Sequence, residues 1–121
     1  MSKKVLIVED SATDFQKLEV IVKRSGAMVL HATDGKRAVE LAQSEVPTVI
    51  FMDVNMVNMD GFEATRQILA IPACKDIPVV FVTSKSQKAD QVWAKMLGGK
   101  GFVAKPYTDV QIQDELNKFL T

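Results

Sequence analysis

Four apolar runs in this sequence each end in a residue able to do chemistry. "VLIVED" ends in Glu9 and Asp10, "VIFMD" in Asp53, "VVFVT" in Thr83 and "GFVAK" in Lys105. A carboxylate closing a buried segment is costly unless partners converge on it or its protonation changes. Asp53 alone reads as a turn cap, Thr83 alone as a cap or strand residue, and Lys105 alone as a solvated charge. As a set they have one chemistry. Glu9, Asp10 and Asp53 would repel one another if all were ionised with nothing between them. A hard divalent cation relieves this, and Mg²⁺ takes one or two carboxylates, keeps several waters and often adds phosphate oxygens. Asp10 and Asp53 are the candidate direct ligands, with Glu9 acting through water and a backbone carbonyl near Asn55 adding another. Lys105 brings a second positive charge, for Asp53 at rest and for a phosphoryl oxygen later. Thr83 brings a hydroxyl donor. A site that only binds phosphate usually offers a Gly-rich cradle of N–H groups, and "VEDSATD" offers acids instead. The set suits Asp53 as a carboxylate nucleophile attacking a phosphoryl group, with Mg²⁺ and Lys105 neutralising the transferring oxygens.

The elements around these residues must bring them together. Val5–Val8 reads as a first strand. In "SATDFQKLEVIVKRSG", Ser11 and Asp14 form a capping-box variant, Phe15, Leu18, Ile21 and Val22 recur at helical spacing, and Gly26 stops the helix. Val29–Ala32 is a weaker second strand. Asp34-Gly35 opens a helix that buries Ala38, Val39, Leu41 and Ala42, and Thr48–Met52 is the third strand. Phe62–Ile71 is a third helix ended by Pro72, "IPVVFVTS" the fourth strand, and Asp90–Leu97 a fourth helix ended by Gly98-Gly99. "GFVAKP" is a short fifth strand and Asp109–Leu120 the last helix. Alternating strands and helices imply a parallel sheet with right-handed crossovers. The most continuously apolar strands belong in its centre. The order 2-1-3-4-5 satisfies this and gathers the strand ends beside a switch point between strands one and three.

Composition excludes much else. The 121 residues suit one domain, and 47% hydrophobic with 25% charged residues is ordinary for a globular chain. Fifteen basic and fifteen acidic residues cancel, so charge calls for neither nucleic acid nor an anionic membrane. No secretory leader or membrane span is evident, and one cysteine, Cys74, forms no internal disulfide. A cytoplasmic location is expected. Cys74 reads as packing or an inert thiol, His31 as a strand-end or surface residue far from the acidic rim, and Trp93 as half-packed core or a partner contact. Asp109, Asp114 and Glu115 read as a solvated face.

"VLIVEDS", "VIFMDVNMVNMDG", "VVFVTSKS" and "GFVAKPY" are similar, in order and spacing, to the receiver domain of bacterial response regulators. The likeness spans the chain. It implies a flavodoxin-like (βα)5 fold, Asp53 as phosphoacceptor, Glu9 and Asp10 as the Mg²⁺-binding pair, and Thr83 and Phe102 as switch residues. It also implies a cis Lys105–Pro106 peptide and an output face formed by the fourth helix, fifth strand and fifth helix. With 1–121 as a single receiver domain and no output domain, the chain resembles stand-alone chemotaxis-type receivers. "DQVWAKMLGGKGFVAKPYTD" and "GFEATRQI" look most like those of type IV pilus twitching-motility clusters. The partners implied are a histidine kinase and a downstream protein, with the receiver a monomer or weak dimer that turns over no external substrate. Asn55 and Lys85 occupy positions that tune phosphate lifetime in the family. Val57 stands where many receivers carry proline, which predicts a less stiff loop.

Three other readings remain open at this level. A haloacid-dehalogenase-type phosphohydrolase also uses Asp, Mg²⁺, Thr and Lys, but "DVN" gives no second acid to activate a leaving group. A receiver-like binding module would not be phosphorylated. A phosphate sink would drain a shared kinase rather than drive an output.

Overall fold

The computed structural model describes residues 3–121. Five parallel strands lie in the order β2-β1-β3-β4-β5: β1 Lys4–Val8, β2 Met28–Ala32, β3 Val49–Met52, β4 Val79–Thr83 and β5 Gly101–Ala104. The helices are α1 Ala12–Arg24, α2 Gly35–Glu45, α3 Gly61–Leu69, α4 Lys88–Met96 and α5 Asp109–Leu120. This is the flavodoxin-like arrangement expected from the alternation.

Burial along each strand accounts for the order. β3 and β4 are buried throughout and β1 nearly so, whereas β2 and β5 are partly exposed and form the edges. The period-two pleat splits the core. Leu6, Val8, Ile50, Met52, Val79 and Phe81 face α2, α3 and α4. Val5, Ile7, Val49, Phe51, Val80 and Val82 face α1 and α5. The sheet is thereby fixed from both sides, and its carboxyl edge becomes a rigid frame.

Helix starts follow their caps. Ser11, Asp34, Asp60 and Thr108 each accept a hydrogen bond from the N–H three residues on, and Gln87 and Asp90 form a capping box. The Ser11 box is half as expected. Ser11 Oγ accepts from the Asp14 N–H at 3.3 Å, but the Ser11 N–H donates to Glu9 Oε2 at 3.1 Å, leaving the Asp14 carboxylate free to point elsewhere. α3 ends at Leu69, earlier than expected, because the chain turns into one 3-10 turn, Pro72–Cys74, with Pro72 at its start. α4 begins at Lys88 rather than Asp90, since Asp90 caps the turn from inside. Among the described residues no helix is long and apolar enough to cross a membrane.

Candidate functional site

Strand register sets the site. Val8 pairs with Met52, so Glu9 and Asp53 leave adjacent strands side by side. The Asp53 N–H donates to the Val8 carbonyl at 3.1 Å, and the Glu9 N–H donates to the Ala32 carbonyl at 3.0 Å. Both carboxylates start from backbone still held by the sheet. Glu9 is 5% and Asp53 6% exposed, while Asp10 is exposed. One oxygen from each of Glu9, Asp10 and Asp53 lies within 4.8 Å of the others, the kind of hard oxygen cluster that suits a divalent cation.

Lys105 closes the site from β5. Its N–H donates to the Thr83 carbonyl at 3.0 Å, and the Lys105–Pro106 peptide is cis, as the family resemblance implied. Its ammonium donates to Glu9 Oε1 at 2.6 Å, Asp14 Oδ2 at 2.9 Å and Asp53 Oδ2 at 3.2 Å. Burial pushes the Glu9 carboxyl up to about 7, against the pull of the Lys105 and Ser11 hydrogen bonds. Burial works against the Lys105 charge too, but hydrogen bonds to Glu9 and Asp14 and the charge of Asp53 outweigh it and raise its pKa. The lysine stays an ammonium, and the acids are held beside it.

A cleft of about 480 Å³ opens over these groups, lined among others by Asp10, Asn55, Ser84 and Tyr107. The Asn55 N–H donates to Asp53 Oδ1 at 3.2 Å, fixing the carboxylate from its loop side. Gly61 holds that loop close. A Cβ there would overlap the Asp53 carbonyl oxygen, and the Gly61 N–H donates to the Val54 carbonyl at 3.0 Å. Tyr107 lies under Lys17, whose Nζ is 4.7 Å from the ring centroid.

Two sequence-predicted residues sit back from the cleft. Thr83 is fully buried, and its Oγ1 accepts the Lys85 N–H at 3.1 Å. Ser84, one residue on, lines the cleft in its place. Phe102 lies partly buried on β5, opposite Phe81 in register, with ring centroids 6.3 Å apart. It lines a groove of about 420 Å³ between α4 and β5, with Val92 and the lysines 88, 95 and 100. Lys85 Nζ lies 3.6 Å from Asp90 at the start of α4.

Three expectations change. Asp14, read as a cap, belongs to the site through Lys105. Its place four residues after Asp10, in the first turn of the helix that borders the cleft, put it near the site without fixing its contact. His31 is not remote. Its Nε2 donates to the Glu9 carbonyl at 2.9 Å, and its ring stacks on Phe15 with centroids 3.5 Å apart. Its register partner is Ile7, two residues before Glu9, and the ring spans that gap. Glu115 is buried, 8% exposed, rather than solvated; it fits because Gly101 lacks the Cβ that would strike it. Trp93 is about half exposed, and Val57 projects into solvent beside Asn58, whose φ is 73°. Cys74 is buried, its thiol 3.3 Å from the Ala42 carbonyl.

The chain is similar to known proteins in sequence and fold. The chain is 38% identical to PilH of Pseudomonas aeruginosa over 117 residues, covering 97% of each protein. It is 33% identical to the chemotaxis protein CheY of Thermotoga maritima over 120 residues, covering 98% of each. Its fold matches the receiver domain of sensor histidine kinase PA1611 from Pseudomonas aeruginosa, whose structure has a magnesium ion coordinated in the active-site cleft. That match has a TM-score of 0.90 and 26% identity over 99% of this chain and 98% of that one. Residues 5–117 match the family model of the response regulator receiver domain, and the chain belongs to that family.

Proposed function

We propose that the chain is a phosphorylation-activated switch that accepts a phosphoryl group on Asp53. The observation that carries this is the convergence of Asp53 with Glu9, Asp10 and Lys105 in one cleft. Oxygen donors alone fit Mg²⁺, so Asp10, Asp53 and a backbone carbonyl near Asn55 would hold it, with Glu9 acting through water. Bound there, Mg²⁺ would neutralise charge on the transferring phosphoryl oxygens.

An Asp53 carboxylate oxygen attacks phosphorus on the phosphohistidine of a partner kinase. The P–N bond breaks, its electron pair stays on the imidazole nitrogen, which takes up a proton, and Asp53 becomes an acyl phosphate. Lys105 turns from the Asp53 oxygen to a phosphoryl oxygen as the charge moves outward. Thr83 gives up the Lys85 N–H and donates its hydroxyl to another phosphoryl oxygen. Space behind it opens to Phe102, and the face formed by α4, β5 and α5 changes shape for a downstream protein. A complete swing in population needs about 5.5 kcal/mol of differential contact. No external substrate is turned over. The likeness to CheY, a chemotaxis protein, supports a place in motility signalling, with the receiver working in the cytoplasm as a monomer or weak dimer.

Intact mass after incubation with acetyl phosphate tests this. We expect the gain of one phosphoryl group, lost without Mg²⁺ and lost in Asp53→Asn. A folded protein that gains none from acetyl phosphate or from a phosphorylated kinase would be a binding module instead.

A further inference from the structure

An ammonium has three hydrogens, and at Lys105 three carboxylates take them, those of Glu9, Asp14 and Asp53. Glu9 and Asp53 also belong to the cluster suited to a divalent cation, and Asp14 does not. A cation and the ammonium therefore compete for the same two buried carboxylates. A third anion that draws the ammonium aside eases that competition. Asp14 is placed to do this, on the first turn of α1, where Ser11 caps its N–H and leaves its side chain free.

We propose that Asp14 is a positioning residue for Lys105. It shares the ammonium with Glu9 and Asp53 and gives it an anion on α1 to hold when a divalent cation takes those two carboxylates, keeping Lys105 within reach of a phosphoryl group on Asp53. The inference rests on the reading of the cleft as a Mg²⁺-dependent phosphoacceptor site.

Two plainer roles compete. As a first-turn acid, Asp14 would stabilise α1 and leave Mg²⁺ affinity alone. As a plain negative charge it would attract Mg²⁺ whether or not Lys105 is present. Its side chain is 45% exposed, so solvent screens that direct attraction. A double-mutant cycle separates the three.

Mg²⁺ is titrated into wild type, Asp14→Asn, Lys105→Met and the double variant, followed by the amide NMR shift of Asn55, whose N–H bonds the Asp53 carboxylate. With Lys105 present, Asp14→Asn weakens Mg²⁺ binding about fivefold; in the Lys105→Met background it weakens it less than about twofold. Asp14→Glu, which keeps the anion, stays within about twofold of wild type. Lys105→Gln replaces Lys105→Met if the latter does not fold. Equal weakening in both backgrounds, or none with Lys105 present, overturns the proposal. Phosphorylation of wild type and Asp14→Asn at saturating Mg²⁺ would in that case leave the phosphoacceptor reading intact. A wild type that binds no Mg²⁺ would remove both.

Discussion

Lys105 reaches Asp53 across an intervening strand: they leave β5 and β3, with β4 between, yet Nζ lies 3.2 Å from Oδ2. The contact works because Lys105 starts from backbone pinned to Thr83 on β4 and its long stem spans the gap. Glu9 and Asp53 are nearly buried, so this ammonium offsets the repulsion between two facing acids, while burial still pushes the Glu9 carboxyl up to about 7.

Removing the ammonium should expose that repulsion. Lys105→Met is expected to lose about 3 kcal/mol of stability without metal, as when one partner leaves a buried ion pair. Added Mg²⁺ should recover much of it. Denaturant unfolding with and without Mg²⁺ checks this. Phosphorylation from acetyl phosphate should fall about 100-fold or more at saturating Mg²⁺, the scale set by removing one electrostatic stabiliser.

Thr83→Ala separates chemistry from readout. The buried hydroxyl accepts one backbone hydrogen bond, so its loss costs about 1 kcal/mol. Asp53 should still be phosphorylated. The amide shifts that phosphorylation induces in α4 and β5 should shrink, and full-size shifts in the variant would take Thr83 out of the switch.

Gly61→Ala tests how the loop holds the acid. The new methyl group would meet the Asp53 carbonyl, so backbone must move. We expect about 1–3 kcal/mol of destabilisation, the range for overpacking, together with slower phosphorylation. A variant with wild-type stability and rate would show that the loop yields freely.

Tyr107 gives a pH signature, and it is the one tyrosine in the chain. Burial pushes its phenol up to about 12 from an ordinary 10, with Lys105 pulling it down and Asp14 and Glu9 pushing it up. The folded pKa is above the unfolded one. The stability this group contributes is therefore whole below pH 10 and lost as pH rises through about 12. Ultraviolet titration of the folded protein should find tyrosinate near the higher value, and a midpoint near 10 would contradict the burial.

Period and spacing made the frame legible. The fully apolar runs lie central, and the residues that end them, Glu9, Asp10, Asp53 and Lys105, meet at the sheet's carboxyl edge. What escaped reading were side chains whose partners are set by packing. Asp14 matched a cap pattern, and the pattern said nothing of where its carboxylate would point once Glu9 had taken the Ser11 N–H. His31 is far from Glu9 along the chain and adjacent only through the β1–β2 register. Glu115 looked solvated on its helix because its burial depends on Gly101, a glycine on another element. Thr83 ends its strand as expected, yet its hydroxyl is spent on the Lys85 N–H instead of facing the cleft.

Reduction chemistry locates the phosphoryl group, which is expected on Asp53. Borohydride reduces an acyl phosphate to an alcohol, turning a phosphorylated aspartate into homoserine. Protein incubated with acetyl phosphate and Mg²⁺, reduced, digested and sequenced by mass spectrometry, should carry homoserine at position 53 and aspartate at position 10. Homoserine at position 10, or an unreduced Asp53 in protein whose intact mass had gained a phosphoryl group, would contradict the account.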